Sequence, residues 1–247
     1  LTINGQFTSG ENIGDLGGTA NAIESFINTA YNNWQTKPVA VLLIGDNPAM
    51  PARTWDNYCL SDNMYADVTG NGLPELNVAR MTARNGAELN KLINKFVSYE
   101  WNPPTSPGFY ANPIMAGGWQ TERWFILCTE VVYGFLANVE GKTPVREYAI
   151  YAGSPTTWST ATNTSTVVNY FGPNGLGYIP STPAHLTDWG GNTARINADI
   201  NAGAFYMLHR DHGYELGWGE PDYDISSLGG LHNEDLCFVL SINCLTG

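Results

Sequence analysis

Apolar residues recur along the chain with a helical period in some stretches and as short unbroken runs in others. Over residues 19–34, Ile23, Phe26, Ile27 and Ala30 fall on one helical face, with Glu24 and asparagines opposite. This spacing predicts an amphipathic helix that ends before Pro38. The same period predicts three more helices, over residues 87–99, over residues 122–137 with Thr121 as the N-cap, and over residues 196–200.

The short apolar runs lie between these helices. Residues 39–44 form an unbroken apolar run that ends at Gly45-Asp46, which predicts a buried strand. Strands that alternate with helices are typical of the α/β class, a mostly parallel sheet with helices on both faces. In such sheets the chemistry collects beyond the carboxyl ends of the strands. Further strands are predicted over residues 114–116, 147–151, 205–208 and 236–242.

The length of 247 residues fits one large domain or two small ones, at ~150 residues per domain. We interpret it as one unit with a first half over residues 1–110 and a second over 111–247. Residues 152–194 are rich in Thr, Ser, Gly, Pro and Asn, which predicts a long irregular insertion.

The charge balance restricts the partners. Eleven Lys and Arg against 23 Asp and Glu give a net charge of −12, which argues against nucleic-acid or anionic-membrane binding. The apolar runs are shorter than the ~20 residues that a membrane helix needs. Few basic residues with abundant Gly, Asn and Thr resemble the composition of secreted microbial proteins.

Two predicted strand ends carry side chains suited to nucleophilic chemistry. Cys244 follows one apolar strand, and His212 follows another. A thiolate nucleophile needs a base for its proton and donors for the developing oxyanion, and Gly213 offers an unobstructed backbone N–H beside the histidine. The alternatives remain a structural thiol at Cys244 and a loop histidine bonded to backbone at His212.

Other reactive side chains have simpler interpretations. His209 and His212 invite a zinc hypothesis, but the pair follows an apolar strand and lacks the HExxH order. Cys59, Cys128 and Cys237 lie in apolar segments and are expected to be core residues.

Residues 67–75, Asp-Val-Thr-Gly-Asn-Gly-Leu-Pro-Glu, form an oxygen-rich segment bent by glycines. Calcium takes six to eight oxygens from backbone that can curl around the ion. The twelve-residue spacing of an EF-hand is absent, so the alternative is a solvated turn.

In their order and spacing, several segments resemble the gingipain family of bacterial cysteine peptidases. The resemblance covers most of the chain, and Cys244, His212-Gly213 and Trp218 carry its chemistry. The other matching segments are residues 19–23, 41–46, 70–75, Arg80, 99–100 and 243–247.

The resemblance implies a caspase-like α/β fold and a secreted or cell-surface, calcium-stabilised endopeptidase. Cys244 is then the nucleophile and His212 the general base and acid, with the backbone amides of Gly213 and Cys244 as the oxyanion hole. The substrate pocket is expected around Arg210, Asp211 and Trp218. The implied calcium ligands are Asp46, Glu75, the Leu73 carbonyl, and Thr69 or Asn71.

The chain departs from the family pattern at four positions. Thr69 and Asn71 stand where the family has aspartates, which removes charge from the calcium site. Trp119 stands where the family carries the carboxylate that orients the histidine, so we expect Glu122 to take that role, with a plain dyad as the alternative. Arg210 replaces a small residue, which disfavours a basic side chain before the scissile bond unless Arg210 pairs with Asp211 or Glu215.

The family's strands before and after this segment are absent from the chain, so we expect one or more companion chains of the same precursor to complete the sheet. The leading hypothesis is a processed cysteine endopeptidase acting on proteins or peptides. The alternative is a non-catalytic, calcium-stabilised binding domain that presents Trp158, Tyr170, Phe171 and Trp189 from the insertion.

Overall fold

The computed structural model describes residues 19–55, 57, 59–187 and 189–246. The chain forms two compact units, which divide between Trp101 and Asn102. Residues 1–18 of the predicted first half, and Gly247 at the end of the matching segment 243–247, lie outside the described residues.

The first unit pairs two parallel strands and packs a helix on them. Helix α1 (Ala20–Asn33) starts at Thr19, whose hydroxyl accepts the Ala22 N–H at 3.1 Å, and buries Ile23 and Ile27. Strand β1 (Ala40–Ile44) runs parallel to β4 (Asn77–Met81). The remaining elements are β2 (Arg53–Trp55), β3 (Cys59–Ser61), α2 (Asn63–Ala66) and α3 (Gly86–Trp101).

The predicted burial of β1 is wrong in this unit. Leu43 is buried in the cluster with Ile23 and Ile27, but Leu42 and Ile44 are exposed. Successive side chains of a strand point to opposite faces, and α1 covers only one of them.

The second unit is built on four parallel strands. The order across the sheet is β11 (Phe238–Ile242), β7 (Tyr206–Arg210), β5 (Ile114–Gly117) and β6 (Val145–Tyr148). All four residues of β5 are buried, because β5 is a central strand whose two faces are both covered by helices. Three short strands form a separate antiparallel sheet: β8 (Gly213–Tyr214), β9 (Gly217–Trp218) and β10 (Tyr223–Asp224).

Helices cover both faces of this sheet, which confirms the predicted fold class. Helix α4 (Trp124–Asn138) packs Ile126 and Leu127 against Met115 and Leu208. On the other face, α6 (Thr193–Gly203) packs against the strands in a second cluster. The members of that cluster are Ile114, Ala116, Ile196, Ile200, Ala204, Met207 and Tyr223.

The insertion is more ordered than its composition indicates. It contains α5 (Thr164–Phe171), and Trp158 lies in the core with its indole N–H donating to the Pro180 carbonyl at 3.1 Å. Phe171 and Trp189 pack against the same core, so Tyr170 is the one exposed member of the aromatic surface that the binding-domain alternative requires.

Contacts near both ends of the insertion join it to the region of α4. The Arg123 guanidinium, just before the helix, donates to the carbonyls of Gly153, Ser154 and Thr157. At the other end of the insertion, the His185 ring lies 2.9 Å from the buried Glu130 carboxylate, which also accepts from Arg146 and Tyr148.

Within the described residues, no helix is both long and apolar enough to span a bilayer.

Candidate active site

Strand register brings the predicted nucleophile and base to neighbouring positions. Strands β7 and β11 are adjacent and parallel, with Arg210 opposite Ile242 at their carboxyl ends. His212 and Cys244 each follow two residues later, so they stand level with each other. The loops that follow the two strands are in close contact. A Cβ on Gly213 would lie 2.4 Å from the Cys244 carbonyl oxygen. The structure thus brings Cys244, His212 and Gly213 together.

Cys244 differs from the other cysteines in its environment. Its side chain is free and exposed, whereas Cys59, Cys128 and Cys237 are half-buried. Burial raises the pKa of the Cys128 thiol and raises that of Cys237 to about 12. Since the thiolate is the reactive form, Cys244 is the accessible candidate, and the raised pKa values disfavour the thiolate at Cys128 and Cys237.

The His212 ring is exposed and rests edge-to-face on Phe125 of α4, with ring centroids 5.3 Å apart. In the described part of the chain no hydrogen bond reaches this ring, so its nitrogens are open to a substrate or a thiol.

His209 belongs to β7 rather than to the loop after it, contrary to the predicted end of that strand at residue 208. It is buried and stacks on Trp218 with ring centroids 3.9 Å apart. Its Nδ1 lies 2.8 Å from the Asn243 amide nitrogen, which donates to it, and its Nε2 donates to the Glu220 carbonyl. Burial lowers the pKa of His209 to about 4, so the ring is neutral and holds Asn243 next to Cys244.

The zinc alternative gains no support from these contacts. Both His209 nitrogens are used within the fold, and no cluster of three or more His, Cys, Asp or Glu suited to a metal occurs among the described residues.

Arg210 lies on the same face of the sheet as His212. Its guanidinium carbon is 3.9 Å from the Phe125 ring centroid, and its Nη1 donates to the carbonyls of Asp211 and Ile242 at 3.2 Å. Its contact with Asp211 is therefore with the backbone, not with the carboxylate.

Asp211, expected in the substrate pocket, is 2% exposed and supports the loop from beneath. Its Oδ2 accepts the Glu220 N–H at 2.7 Å, while Oδ1 has no hydrogen-bond partner among the residues that the structure describes. Burial raises the pKa of this carboxyl. The backbone of Gly118 passes directly over it, since a Cβ there would lie 2.3 Å from the Asp211 Cγ.

Trp218 borders a cavity of about 530 Å³, together with Tyr223, Val239, Ser241 and Thr246. Its indole N–H donates to Ser241 at 2.9 Å. Ser241 alternates with Ile242 along β11, so this cavity lies on the face of the sheet opposite to Arg210 and Phe125.

Glu122 lies in a turn before α4, and Thr121 does not cap the helix, which begins at Trp124. Thr121 and Glu122 both have positive φ, 48° and 66°. The Glu122 carboxylate accepts the Tyr151 hydroxyl rather than a His212 nitrogen.

The candidate calcium loop curls around a carboxylate that our ligand prediction omitted. Asp67 accepts the N–H groups of Asn71 and Gly72 at 3.0 and 2.8 Å, and Glu75 accepts the Thr69 hydroxyl at 2.8 Å. Oxygen-bearing residues at every second position, with a glycine at the sixth, are typical of calcium loops. These residues fit calcium by the chemistry of their oxygens.

Asp46 is not part of this loop arrangement. Among the described residues its carboxylate bonds only the Asn47 N–H, at 2.8 Å.

The chain is similar to known proteins along most of its length. The sequence profile of peptidase family C25 matches residues 2–247. Gingipain R2 of Porphyromonas gingivalis is 22% identical over 233 residues, which are 93% of this chain and 27% of that protein. Lys-gingipain of the same organism is 23% identical over 235 residues, 92% of this chain and 11% of that protein.

Solved structures show the same fold. The crystal structure of the Arg-specific cysteine proteinase gingipain R superposes with a TM-score of 0.70 at 20% identity, over 93% of this chain and 46% of that one. A complex of the pro- and mature domains of Porphyromonas gingivalis RgpB gives 0.64 at 21% identity, over 95% of this chain and 48% of that one. The chain therefore spans less than half of the proteins that it matches.

Proposed function

The chain belongs to peptidase family C25, and on that premise we propose that it carries the catalytic centre of a cysteine endopeptidase. Cys244 is the nucleophile and His212 the general base and acid. The observation that carries this proposal is the register of β7 and β11, which sets an exposed thiol level with an exposed imidazole.

The reaction follows from these groups. His212 takes the Cys244 proton as the sulfur attacks the peptide carbonyl, and the backbone N–H groups of Gly213 and Cys244 hold the oxyanion. Collapse breaks the C–N bond, and His212 returns the proton to the leaving amine. Water then attacks the thioester with His212 as base, which releases the acid and the free thiol.

We propose a dyad rather than a triad with Glu122. The Glu122 carboxylate is engaged by Tyr151, and Phe125 supports the His212 ring instead. Arg210, which lies beside His212, disfavours a basic side chain before the scissile bond by charge repulsion.

The proposal includes companion chains, calcium and an extracellular site of action. Strand β11 is paired on one edge within the described residues, which supports completion by another segment of the same precursor. Asp67, Thr69, Asn71, Glu75 and the Leu73 carbonyl would hold a structural calcium ion, which supplies stability and no chemistry. Family membership and the low content of basic residues support a secreted or cell-surface bacterial enzyme.

Labelling with a peptidyl thiol reagent tests the proposal in the full-length protein. We expect modification at Cys244 alone and loss of peptide hydrolysis by at least a thousandfold in Cys244→Ala, because the covalent route is lost. Cys128→Ala is the matched control and should retain activity. Hydrolysis in Cys244→Ala within tenfold of wild type would overturn the assignment, as would labelling of Cys128 instead.

A further inference from the structure

The register that aligns Cys244 with His212 continues across the sheet to two exposed apolar side chains. Gly117 pairs with Arg210 on one side and with Tyr148 on the other. Two residues beyond these pairs, Trp119 and Ile150 stand in the same row as His212. The backbone hydrogen-bond ladder continues beyond the ends of these strands. The Gly118 N–H donates to the Arg210 carbonyl, and the Ala149 N–H donates to the Gly117 carbonyl. The row therefore reads Cys244, His212, Trp119, Ile150.

Trp119 and Ile150 are unusually open for large apolar residues, with 46% and 73% of their surface exposed. The Trp119 ring lies 5.6 Å from the Tyr151 ring, at an angle of 39°. The strand register places Ile150 beside Trp119, and we refer to Trp119, Ile150 and Tyr151 as the apolar shelf.

The shelf is held rigidly from below. The Tyr151 hydroxyl donates to the Glu122 carboxylate, and the Arg123 guanidinium carbon lies 4.7 Å from the Tyr151 ring centroid. Arg123 itself is buried and bound to three carbonyls. Thr121 and Glu122 keep a left-handed backbone that costs free energy for residues with side chains, so the turn is maintained by its surroundings.

The charges beneath the shelf offset each other, because the Glu122 carboxylate lies in the field of the Arg123 guanidinium. The exposed surface is therefore apolar and aromatic with no net charge. Such a surface binds a large apolar or aromatic side chain, and rigid aromatic rings lose little entropy in doing so.

The chemistry of the dyad determines which half of the substrate, before or after the scissile bond, lies over the shelf. His212 protonates the leaving amine, so the leaving half of the peptide extends from Cys244 past His212 towards Trp119. Strands ~4.8 Å apart put Trp119 about 10 Å from Cys244, and an extended peptide advances ~3.3 Å per residue.

We infer that Trp119, Ile150 and Tyr151 form a subsite for a large apolar side chain about three residues after the scissile bond. This inference rests on the proposed function, since it assumes the Cys244–His212 dyad.

The test compares two quenched peptides that differ only at the third residue after the bond, Phe or Gly. We expect wild type to prefer the Phe peptide in kcat/KM, and we expect Trp119→Ala to reduce that preference about tenfold. Trp119→Phe should keep most of it. Tyr170→Ala, which removes an exposed aromatic from the insertion, is the control and should leave the preference unchanged.

The outcomes separate the two proposals. A merely structural Trp119 would lower kcat/KM equally for both peptides, and that result overturns the subsite, as does a wild type with no preference. A second substrate carries only the residues before the scissile bond, joined to a coumarin amide. It has no residue that could occupy the subsite, so its hydrolysis reports on the dyad alone. If Cys244→Ala hydrolyses it as fast as wild type, the proposed function fails and the subsite with it.

Discussion

Two glycines determine how closely the loops of the candidate site approach each other. Gly118 passes over the buried Asp211 carboxylate, and Gly213 faces the Cys244 carbonyl, each leaving less than 3 Å for a side chain. Neither glycine is among those with positive φ, so it is the close approach that excludes a side chain here. The alignment of His212 with Cys244 thus depends on the absence of side chains at Gly118 and Gly213.

Gly118→Ala is predicted to destabilise the protein by about 2 kcal/mol and to lower peptidase activity, because the new methyl group displaces Asp211 and the attached His212 loop. Thermal unfolding and kcat measure the two effects. Adding Asp211→Ala should restore part of both by opening space. Gly229→Ala, where a Cβ meets nothing within 4 Å, is the control. A Gly118→Ala protein with wild-type unfolding and kcat would contradict the prediction.

A second buried carboxyl, Glu147 on β6, links stability to pH. Burial, with a smaller contribution from nearby Asp199, raises its pKa to about 7, despite the Arg195 guanidinium 2.8 Å away. The folded protein therefore binds a proton more tightly than the unfolded chain between pH ~4.5 and 7. Its contribution to stability is present at the acidic end of this window and is lost as the pH rises.

Glu147→Gln is predicted to remove this dependence, since the amide mimics the protonated acid. From pH 5 to 7.5 wild type should lose about 1–2 kcal/mol more stability than the variant, as followed by denaturant unfolding at each pH. Glu215→Gln, at an exposed position, is the control. Identical pH profiles for wild type and Glu147→Gln would show that Glu147 is ionised in the folded state across the range.

At the scale of secondary-structure elements, the spacing of apolar residues predicted those elements whose position depends on contacts with adjacent elements. Helix α1 and strand β5 follow their apolar spacing, because each buries its own apolar residues against adjacent elements. The start of α4 was predicted at residue 122 rather than at Trp124. The reason is that Arg123 donates to the carbonyls of Gly153, Ser154 and Thr157, some thirty residues later in the chain. His209 likewise looked like a loop residue, since only the distant Trp218 and Asn243 explain its burial.

The loop from Asp67 to Glu75 is predicted to link calcium to stability. An ion that binds only the folded state at a hundred times its Kd adds about 2.7 kcal/mol, so excess chelator should lower the Tm by several degrees. Glu75→Gln should abolish most of this difference, while the exposed Glu100→Gln should preserve it. Equal Tm values with calcium and with chelator would remove calcium from the proposal.

At the scale of the whole molecule, β11 leaves an apolar strand in contact with solvent. All five of its residues are exposed, with Phe238 at 62%, and in the described chain only β7 pairs with it. Natural sheets rarely leave such an edge open, because it pairs readily with another strand.

We predict that the isolated chain self-associates through this edge. Light scattering should report a mass that rises with concentration, and Leu240→Glu should reduce the rise by placing charge on the strand. Leu176→Glu, at an exposed leucine of the insertion, should not. A concentration-independent monomer would count against an open edge.

The attachment of the insertion at both of its ends predicts how the molecule would respond to a proteolytic cut within it. Arg123 holds residues 153–157, and Glu130 holds His185 near the other end. A single break between residues 159 and 182 would leave both new ends tied to the same helix, with Trp158 still seated in the core. The nicked molecule would keep its native mass and come apart only on denaturation.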